Sequence, residues 1–486
     1  MTIPSFFRSF CPSVCRLLAA ASVLMAAPAI AETCPSVDRQ PATQALMALL
    51  ADKPDLRDDL ASSIAAGRRA NPDPQTNPVG DIPAYLDFID ALVTYNPQNI
   101  DTGVYNGRIR IGMDGANYCN WNILDLLAYS FFLVDRQITT DPRGQIQFMD
   151  PDFSDWMSDL AQSWGDYLET RPSAVHVPDF TSDPNFGDWY CPDAAYETFQ
   201  EFFIRELCPH EDKFPTGSRK VAGINDPDTV VAIGDSNSMG WWPISRDGKL
   251  VTGYDGVAQG GRIIKGKLYS NIHTFITGAP DEVILQQFGQ IDPTLFDGGV
   301  FTHQFLNVNN YHRLHLPVGG RIVFMRHVQS GTRMKSDWKP SLGQGDPGYY
   351  DPVDGPDWQF GQTRLVLGIE TLDHGTVIAS PMGMAQVSGI QPRAWVEEYF
   401  RSGDIARKGW EFANFAFGGS DFVILFQPEA AFTLTVDEMP RVSPGVGVTY
   451  KPSLQGEKYG CFGGTTTCAG SDDSGFPPPY PGYARN

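Results

Sequence analysis

The residues able to do covalent chemistry in this chain fall in three short stretches. Ser236 lies in "DTVVAIGDSNSMGWW" (Asp228–Trp242), where an apolar β-type run passes into Gly234-Asp235-Ser236 and closes on Gly240. His312 and His315 stand three apart in "NNYHRLHLPVGGRI" (Asn309–Ile322). Ser420 follows two glycines in "KGWEFANFAFGGSDFVILF" (Lys408–Phe426). A serine hydroxyl becomes a nucleophile when a base takes its proton and a third group orients that base. Each serine therefore raises the question of which histidine and which carboxylate serve it.

For Ser236 the candidate is a secreted esterase, because G-D-S-x-x-x-G after a strand resembles the first block of the GDSL (SGNH) hydrolases. Such an enzyme carries a late D-x-x-H pair. His176, His210, His273, His303, His312, His315, His327 and His374 have Ser173, Leu207, Ser270, Val300, Asn309, His312, Phe324 and Thr371 three places before them, so the pair is missing. The block Gly223-Ile224-Asn225-Asp226, which resembles an oxyanion-donor motif, precedes the serine where those hydrolases place it after. Ser236 is accordingly read as a turn residue. H-x-x-H can also be a pair of metal ligands on one helix face, but Pro317 and the β-like neighbours argue against a helix, and no metal is expected.

Four stretches, "ETFQEFFIREL", "IKGKLYS" (Ile264–Ser270), the "YHRLHLP" segment and "KGWEFANFAFGGSDFVILF", together and in this order resemble the phosphatidylserine decarboxylase family over about Thr198–Leu434. Members of that family carry an F-F-x-R helix, a strand ending in an aspartate turn, a K-G-x-x-Y segment, the Y-H-R-x-H-x-P signature and a late glycine-serine cleavage site. The region ahead, with "LLADKPDLRDDLASSI" and "IPAYLDFIDALV", is similar to the N-terminal domain of soluble members such as the fungal tryptophan decarboxylases.

The resemblance implies a self-processing decarboxylase whose cofactor is a covalent pyruvoyl group made from Ser420. Ser420 Oγ would attack the Gly419 carbonyl, and β-elimination and hydrolysis would leave pyruvoyl at the start of a second chain. The mature protein would be a heterodimer of its own two cleavage chains. By the same resemblance His315 is the base, Asp235 its orienter, and His312 acts during turnover. Decarboxylating an α-amino acid leaves negative charge on carbon, and a pyruvoyl carbonyl joined to the substrate amine as a Schiff base is an electron sink for it. Two departures stand out: Asp421 follows Ser420 where many members have Thr or Ser, and Ser236 follows Asp235 where many have Gly. An uncleaved homologue serving as a binding module is the remaining alternative.

The whole chain sets the context. Its 486 residues, 42% apolar and 12% aromatic, are enough for more than one core, and 48 Gly with 38 Pro favour a loop-rich fold. Arg8 and Arg16 ahead of an apolar run ending in Ala29-Ile30-Ala31 read as a signal peptide over 1–31, so the protein is expected to be exported. Cys34, Cys119, Cys191, Cys208, Cys461 and Cys468 then remain, an even number consistent with disulfides of open pairing. Losing the two arginines takes the formal charge from −21 to −23. Such a surface repels nucleic acid and offers little to anionic lipid. A free, tryptophan-like L-amino acid is therefore favoured as substrate over phosphatidylserine. No transmembrane anchor is expected after the leader, since "WNILDLLAYSFFLV" (Trp121–Val134) is short, contains Asp125 and reads as a buried helix.

These groups need a scaffold. Helical periodicity runs from about Thr43 to Leu207, for example in "DIPAYLDFIDALV", and a last helix "AAYETFQEFFIREL" is expected to stop at Cys208-Pro209. From about Val221 short β-branched runs punctuated by glycine take over. The fold class is α+β: a helical domain over 32–207, a β-rich catalytic domain over 208–450 cut between 419 and 420, and a Gly/Pro-rich tail over 451–486.

Overall fold

A computed structural model describes residues 39–98, 104–105, 108–109, 121–140, 146–182, 195–207, 214–251, 268–279, 282–306, 308, 310–330, 332, 334–340, 348–352, 362–384, 389–436, 453–470 and 473–483. The leader read over 1–31, residues 264–267 of "IKGKLYS", and Cys34, Cys119, Cys191 and Cys208 lie outside that set.

The N-terminal part is helical where the pattern says so. Helices α1 (Pro41–Asp52), α2 (Pro54–Ala70), α3 (Ile82–Leu92), α4 (Ile123–Phe132), α5 (Pro151–Leu168), α6 (Val177–Thr181) and α7 (Phe199–Phe203) follow one another. Asp81 caps α3 by accepting the Ala84 N–H, and Asp150 caps α5 by accepting the Phe153 N–H. Along α5, Phe153, Trp156, Met157, Leu160, Trp164 and Leu168 form one buried stripe at helical spacing. The helix α4 is buried, Asp125 included. No helix among the described residues is long and apolar enough to cross a membrane.

The helix α7 is shorter than its pattern suggests. Thr198 starts it, accepting the Glu201 N–H. At the other end guanidinium groups take the carbonyls that further turns would use: Arg205 Nη1 binds Phe202 O and Arg313 Nε binds Ile204 O. The helix therefore ends ahead of Cys208-Pro209, and Phe199, Phe202 and Phe203 are fixed in the core.

The β-rich part is built on an eight-stranded antiparallel sheet. Its path runs Ile405–Ala406, Gly320–Gln329, Arg364–Glu370, Thr376–Met384, Gly419–Phe426, Val300–Leu306 and Asn237–Pro243, with Val283–Gly289 also on Gly320–Gln329. One face shares a continuous core with the helices: Phe422 and Ile424 belong with Phe199, Trp164 and Leu46. Phe417 packs edge-on against both Trp164 and Phe199. The other face, with Val423 and Leu425, packs on Phe275 and Phe296. The C-terminal segment forms no core of its own, but it is built into the fold. Lys458–Cys461 pairs with Thr229–Val231, and a disulfide joins Cys461 to Cys468.

Candidate active site

The strand Gly419–Phe426 lies between Val300–Leu306 and Thr376–Met384, and its register sets Ser420 beside Leu306 and Gly383. Alternation along the strand sends Ser420 to the face shared with the helices and Asp421 to the opposite one. Ser420 is fully buried, and its Oγ donates to the Gly418 carbonyl at 3.2 Å. Gly418 has φ 148°, a conformation open to glycine and costly for other residues. The serine hydroxyl thus points back along the chain toward the peptide that precedes it.

His315 stands at the end of the strand Arg313–His315, which pairs with Glu411–Phe415 through an irregularity between Leu314 and His315. Its Nδ1–H donates to the Gly409 carbonyl at 2.7 Å, which leaves Nε2 to accept the Tyr311 hydroxyl at 3.1 Å. Gly409 is itself constrained: its φ is 82°, and a Cβ there would meet Val221 Cγ2 at 2.5 Å. Next to it, Lys408 Nζ donates to the carbonyls of Gly223, Asp226 and Thr229 and pins the loop. Burial pushes His315 down to about 4, against the opposing pull of Glu411, so the ring is neutral at physiological pH with a defined tautomer.

That shift has a consequence for stability. Between about 4 and the ordinary 6.5 the unfolded chain binds a proton that the folded chain does not. Stability is therefore complete above 6.5 and falls as pH drops toward 4. The expected loss between pH 7 and 5 is on the order of 2 kcal/mol from this ring. It would be read as a lower urea midpoint, with part of the slope gone in His315→Gln. A midpoint independent of pH over that range, or an unchanged slope in the variant, contradicts it.

His312, also fully buried, stacks on Phe203 with ring centroids 3.7 Å apart. Phe203 also packs against Phe417 at 5.2 Å, so one aromatic ring links His312 to the turn before Ser420. Burial, with the nearby charge of Arg205, holds His312 well below 6.5. The carbonyls of Asn310 and Phe203 lie near enough to favour its protonated form, yet neither is aligned as a hydrogen-bond partner of the ring. On the Ser420 side of the sheet, Gln304 Nε2 and Ser238 Oγ are likewise buried without an aligned partner among the described residues. Buried polar atoms are rarely left so, and those on the Ser420 face of the sheet mark a place where a polar ligand belongs.

Asp235 is buried at the end of the run Thr229–Gly234. Its carboxylate takes a bidentate ion pair from Arg219, with Nη2 to Oδ2 at 3.0 Å, and the Gln455 N–H at 3.0 Å. Both ring nitrogens of His315 are engaged elsewhere, so the structure does not join Asp235 and His315 directly. They are neighbours through the backbone: the His315 N–H donates to the carbonyl of Ile233, two residues before Asp235. Arg219, whose guanidinium lies 5.9 Å from the Tyr311 ring centre, links the two. Neither Tyr311, Gly409, Arg219 nor Gln455 was singled out by residue type; Tyr311 and Gly409 lay inside motifs that pointed here, Arg219 and Gln455 did not.

Ser236, read as a turn residue, instead forms an antiparallel bridge with Ser453. It is fully buried and its Oγ donates to Gln304 Oε1 at 2.9 Å. Asp421, on the reverse face, comes within 2.9 Å of His303 Nε2, although the pair is not aligned as a hydrogen bond. Its carboxylate is thus directed away from the Ser420 side. Among the described residues no cluster of three His, Cys, Asp or Glu side chains could hold a metal ion.

Comparison with known proteins brings these residues into one frame. A family model described as phosphatidylserine decarboxylase matches residues 199–449. Decarboxylase iboD of Amanita muscaria (strain Koide BX008) is 25% identical over 326 residues, covering 60% of this chain and 82% of that protein. Phosphatidylserine decarboxylase proenzyme 2 of Oryza sativa subsp. japonica is 24% identical over 309 residues, 61% of this chain and only 42% of the rice protein. The phosphatidylserine decarboxylase proenzyme of Acidovorax ebreus (strain TPSY) is 29% identical over 249 residues, 49% of this chain and 71% of its own length.

Proposed function

From the premise that the chain belongs to the phosphatidylserine decarboxylase family and is a decarboxylase, we propose that it cuts itself between Gly419 and Ser420 and uses the resulting pyruvoyl group to decarboxylate a free aromatic L-amino acid. The observation that carries the self-processing is the buried Ser420 hydroxyl aimed back at the Gly418 carbonyl, beside a glycine in a conformation other residues avoid. In the proposed reaction Ser420 Oγ adds to the Gly419 carbonyl carbon, and its proton passes to His315 Nε2 as that nitrogen parts from Tyr311. The Gly419–Ser420 amide becomes an ester with a free amine on residue 420. Loss of the α-proton expels the Gly419 carboxylate, and hydrolysis of the remaining enamine consumes water and releases ammonia. Asp235 acts on His315 through Arg219 and Tyr311.

The residues present fit the pyruvoyl group: its precursor is buried, Gln304 Nε2 and Ser238 Oγ lie on that side of the sheet without an aligned partner among the described residues, and the His312 ring is linked to the turn before Ser420 through Phe203. Once formed, the group supplies the electron sink that loss of CO2 requires. His312, buried and neutral, holds the substrate carboxylate or relays a proton to the carbon that CO2 leaves, taking one from a second donor at its other nitrogen as it gives one up.

The preference for a free amino acid rests on α7. An enzyme drawing its substrate from a bilayer uses an apolar docking face with basic residues nearby. Here Phe199, Phe202 and Phe203 are buried, and Arg205 is buried with its guanidinium on the Phe202 and Asn310 carbonyls. For the lipid speaks the edge strand Val283–Gly289, which exposes Val283, Ile284 and Leu285 in succession. The deciding assay is CO2 release by one enzyme preparation from each free L-amino acid and from phosphatidylserine in mixed micelles. Release from an aromatic amino acid is expected; turnover of the lipid alone would overturn the substrate while leaving the self-processing in place. We extend the proposal to export past the N-terminal leader, supported by the Cys461–Cys468 disulfide, since such bonds persist in oxidising compartments.

A further inference from the structure

We infer that Gln455, in the segment beyond the family match, is the positioning residue for Asp235 in self-cleavage; this rests on the self-processing proposed above. Gln455 is fully buried and touches both members of the Arg219–Asp235 pair. Its main-chain N–H donates to Asp235 Oδ1 at 3.0 Å. Its side-chain Oε1 accepts the Arg219 N–H at 2.9 Å, and its Nε2 donates to Ser218 Oγ at 3.0 Å. One residue thus holds the carboxylate on one side and the backbone of its guanidinium partner on the other.

The bracket is held in place by the chain around it. Ser453 and Ser236 exchange two main-chain hydrogen bonds of 2.9 Å. Gly456 N–H donates to Ala232 O and Ala232 N–H to Glu457 O, and Lys458–Cys461 continues the pairing onto Thr229–Val231. Residues 453–461 are therefore the partner strand of the stretch that ends in Asp235. Farther on, the Trp410 indole N–H donates to the Pro478 carbonyl, so the same C-terminal segment also closes over the chain beside Gly409, which orients His315. A buried ion pair has little tolerance for misplacement, because each charge has given up water and depends on its partner's direction. Fixing Arg219 and Asp235 from outside is what this geometry does, and the residue that does it follows the cleavage site in the chain.

The test follows conversion of freshly translated full-length chain into two fragments by denaturing gel and intact mass, with Ser420→Ala as the uncleavable control. Gln455→Ala keeps the main-chain bond but frees the Arg219 backbone, and is expected to slow cleavage roughly tenfold or more, as small misplacements of catalytic groups do. Gln455→Met keeps the size of the side chain but removes the acceptor for the Arg219 N–H, so it should slow cleavage as Gln455→Ala does, a loss that mere packing would not produce. Unfolding midpoints are measured for the same changes in the Ser420→Ala background. Should Gln455→Ala fail to fold, Ser218→Ala, which removes the anchor of the Gln455 amide, carries the same expectation. Cleavage at the wild-type rate in these variants, or a slowing that merely tracks lost stability, overturns the inference while the self-processing stands. Absence of cleavage in the wild type overturns both.

Discussion

Ser420→Ala is expected to yield a single intact chain where the wild type yields two, with a light fragment that begins at residue 420 and resists Edman sequencing for want of a free amine. The expectation follows from Oγ being the only atom of that residue able to form the ester, so its removal takes away the reaction and not merely its rate. His315→Ala should do the same, because it removes the ring whose Nε2, kept as the acceptor nitrogen by the Nδ1–H bond to Gly409, would take the hydroxyl proton. Ser236→Ala removes one buried hydrogen bond to Gln304, worth about 1 kcal/mol, and should leave cleavage in place. Intact mass of the three purified variants decides. A cleaved Ser420→Ala chain would show that the cut lies elsewhere, and an esterase activity lost in Ser236→Ala would revive the hydrolase reading.

His312→Ala should part the two reactions. The chain is expected to mature into two fragments, because His315 and Ser420 are untouched, yet to lose about 10² to 10⁴ in the rate of CO2 release, the usual worth of a positioned proton donor or acceptor. Since burial keeps His312 neutral well below pH 6.5, the wild-type rate should show no loss near that pH from this ring. His312→Phe preserves an aromatic partner for Phe203 and separates lost packing from lost proton transfer. If it too matures but stays inactive, the imidazole is what matters. Equal loss of maturation and turnover in both variants would show that the roles of the two histidines are wrongly divided.

The elements were largely legible. Strands at Val300–Leu306, Gly320–Gln329, Arg364–Glu370, Thr376–Met384 and Gly419–Phe426 stand where β-branched runs between glycines put them, and α3 and α4 where apolar spacing does. These signals are local, since alternation and helical periodicity need only near neighbours. The helix α7 was overestimated because its length was settled by guanidinium groups, one of them Arg313, over a hundred positions away from Ile204.

For the site, residue identity and order by themselves determined the available chemistry: a serine after glycine, two histidines three apart, and an aspartate at the end of a β-type run. They also determined the family, because those groups recur in one order within a specific motif. Only the tertiary structure decided who partners whom. It turned Asp421 to the far face of the sheet, gave His315 to Tyr311 and Gly409, and set Asp235 between Arg219 and a main-chain N–H 220 positions away. The reason is physical: a side chain's type fixes what it can donate or accept, but direction, burial and desolvation fix what it does, and these arise only when distant stretches of chain exclude water together.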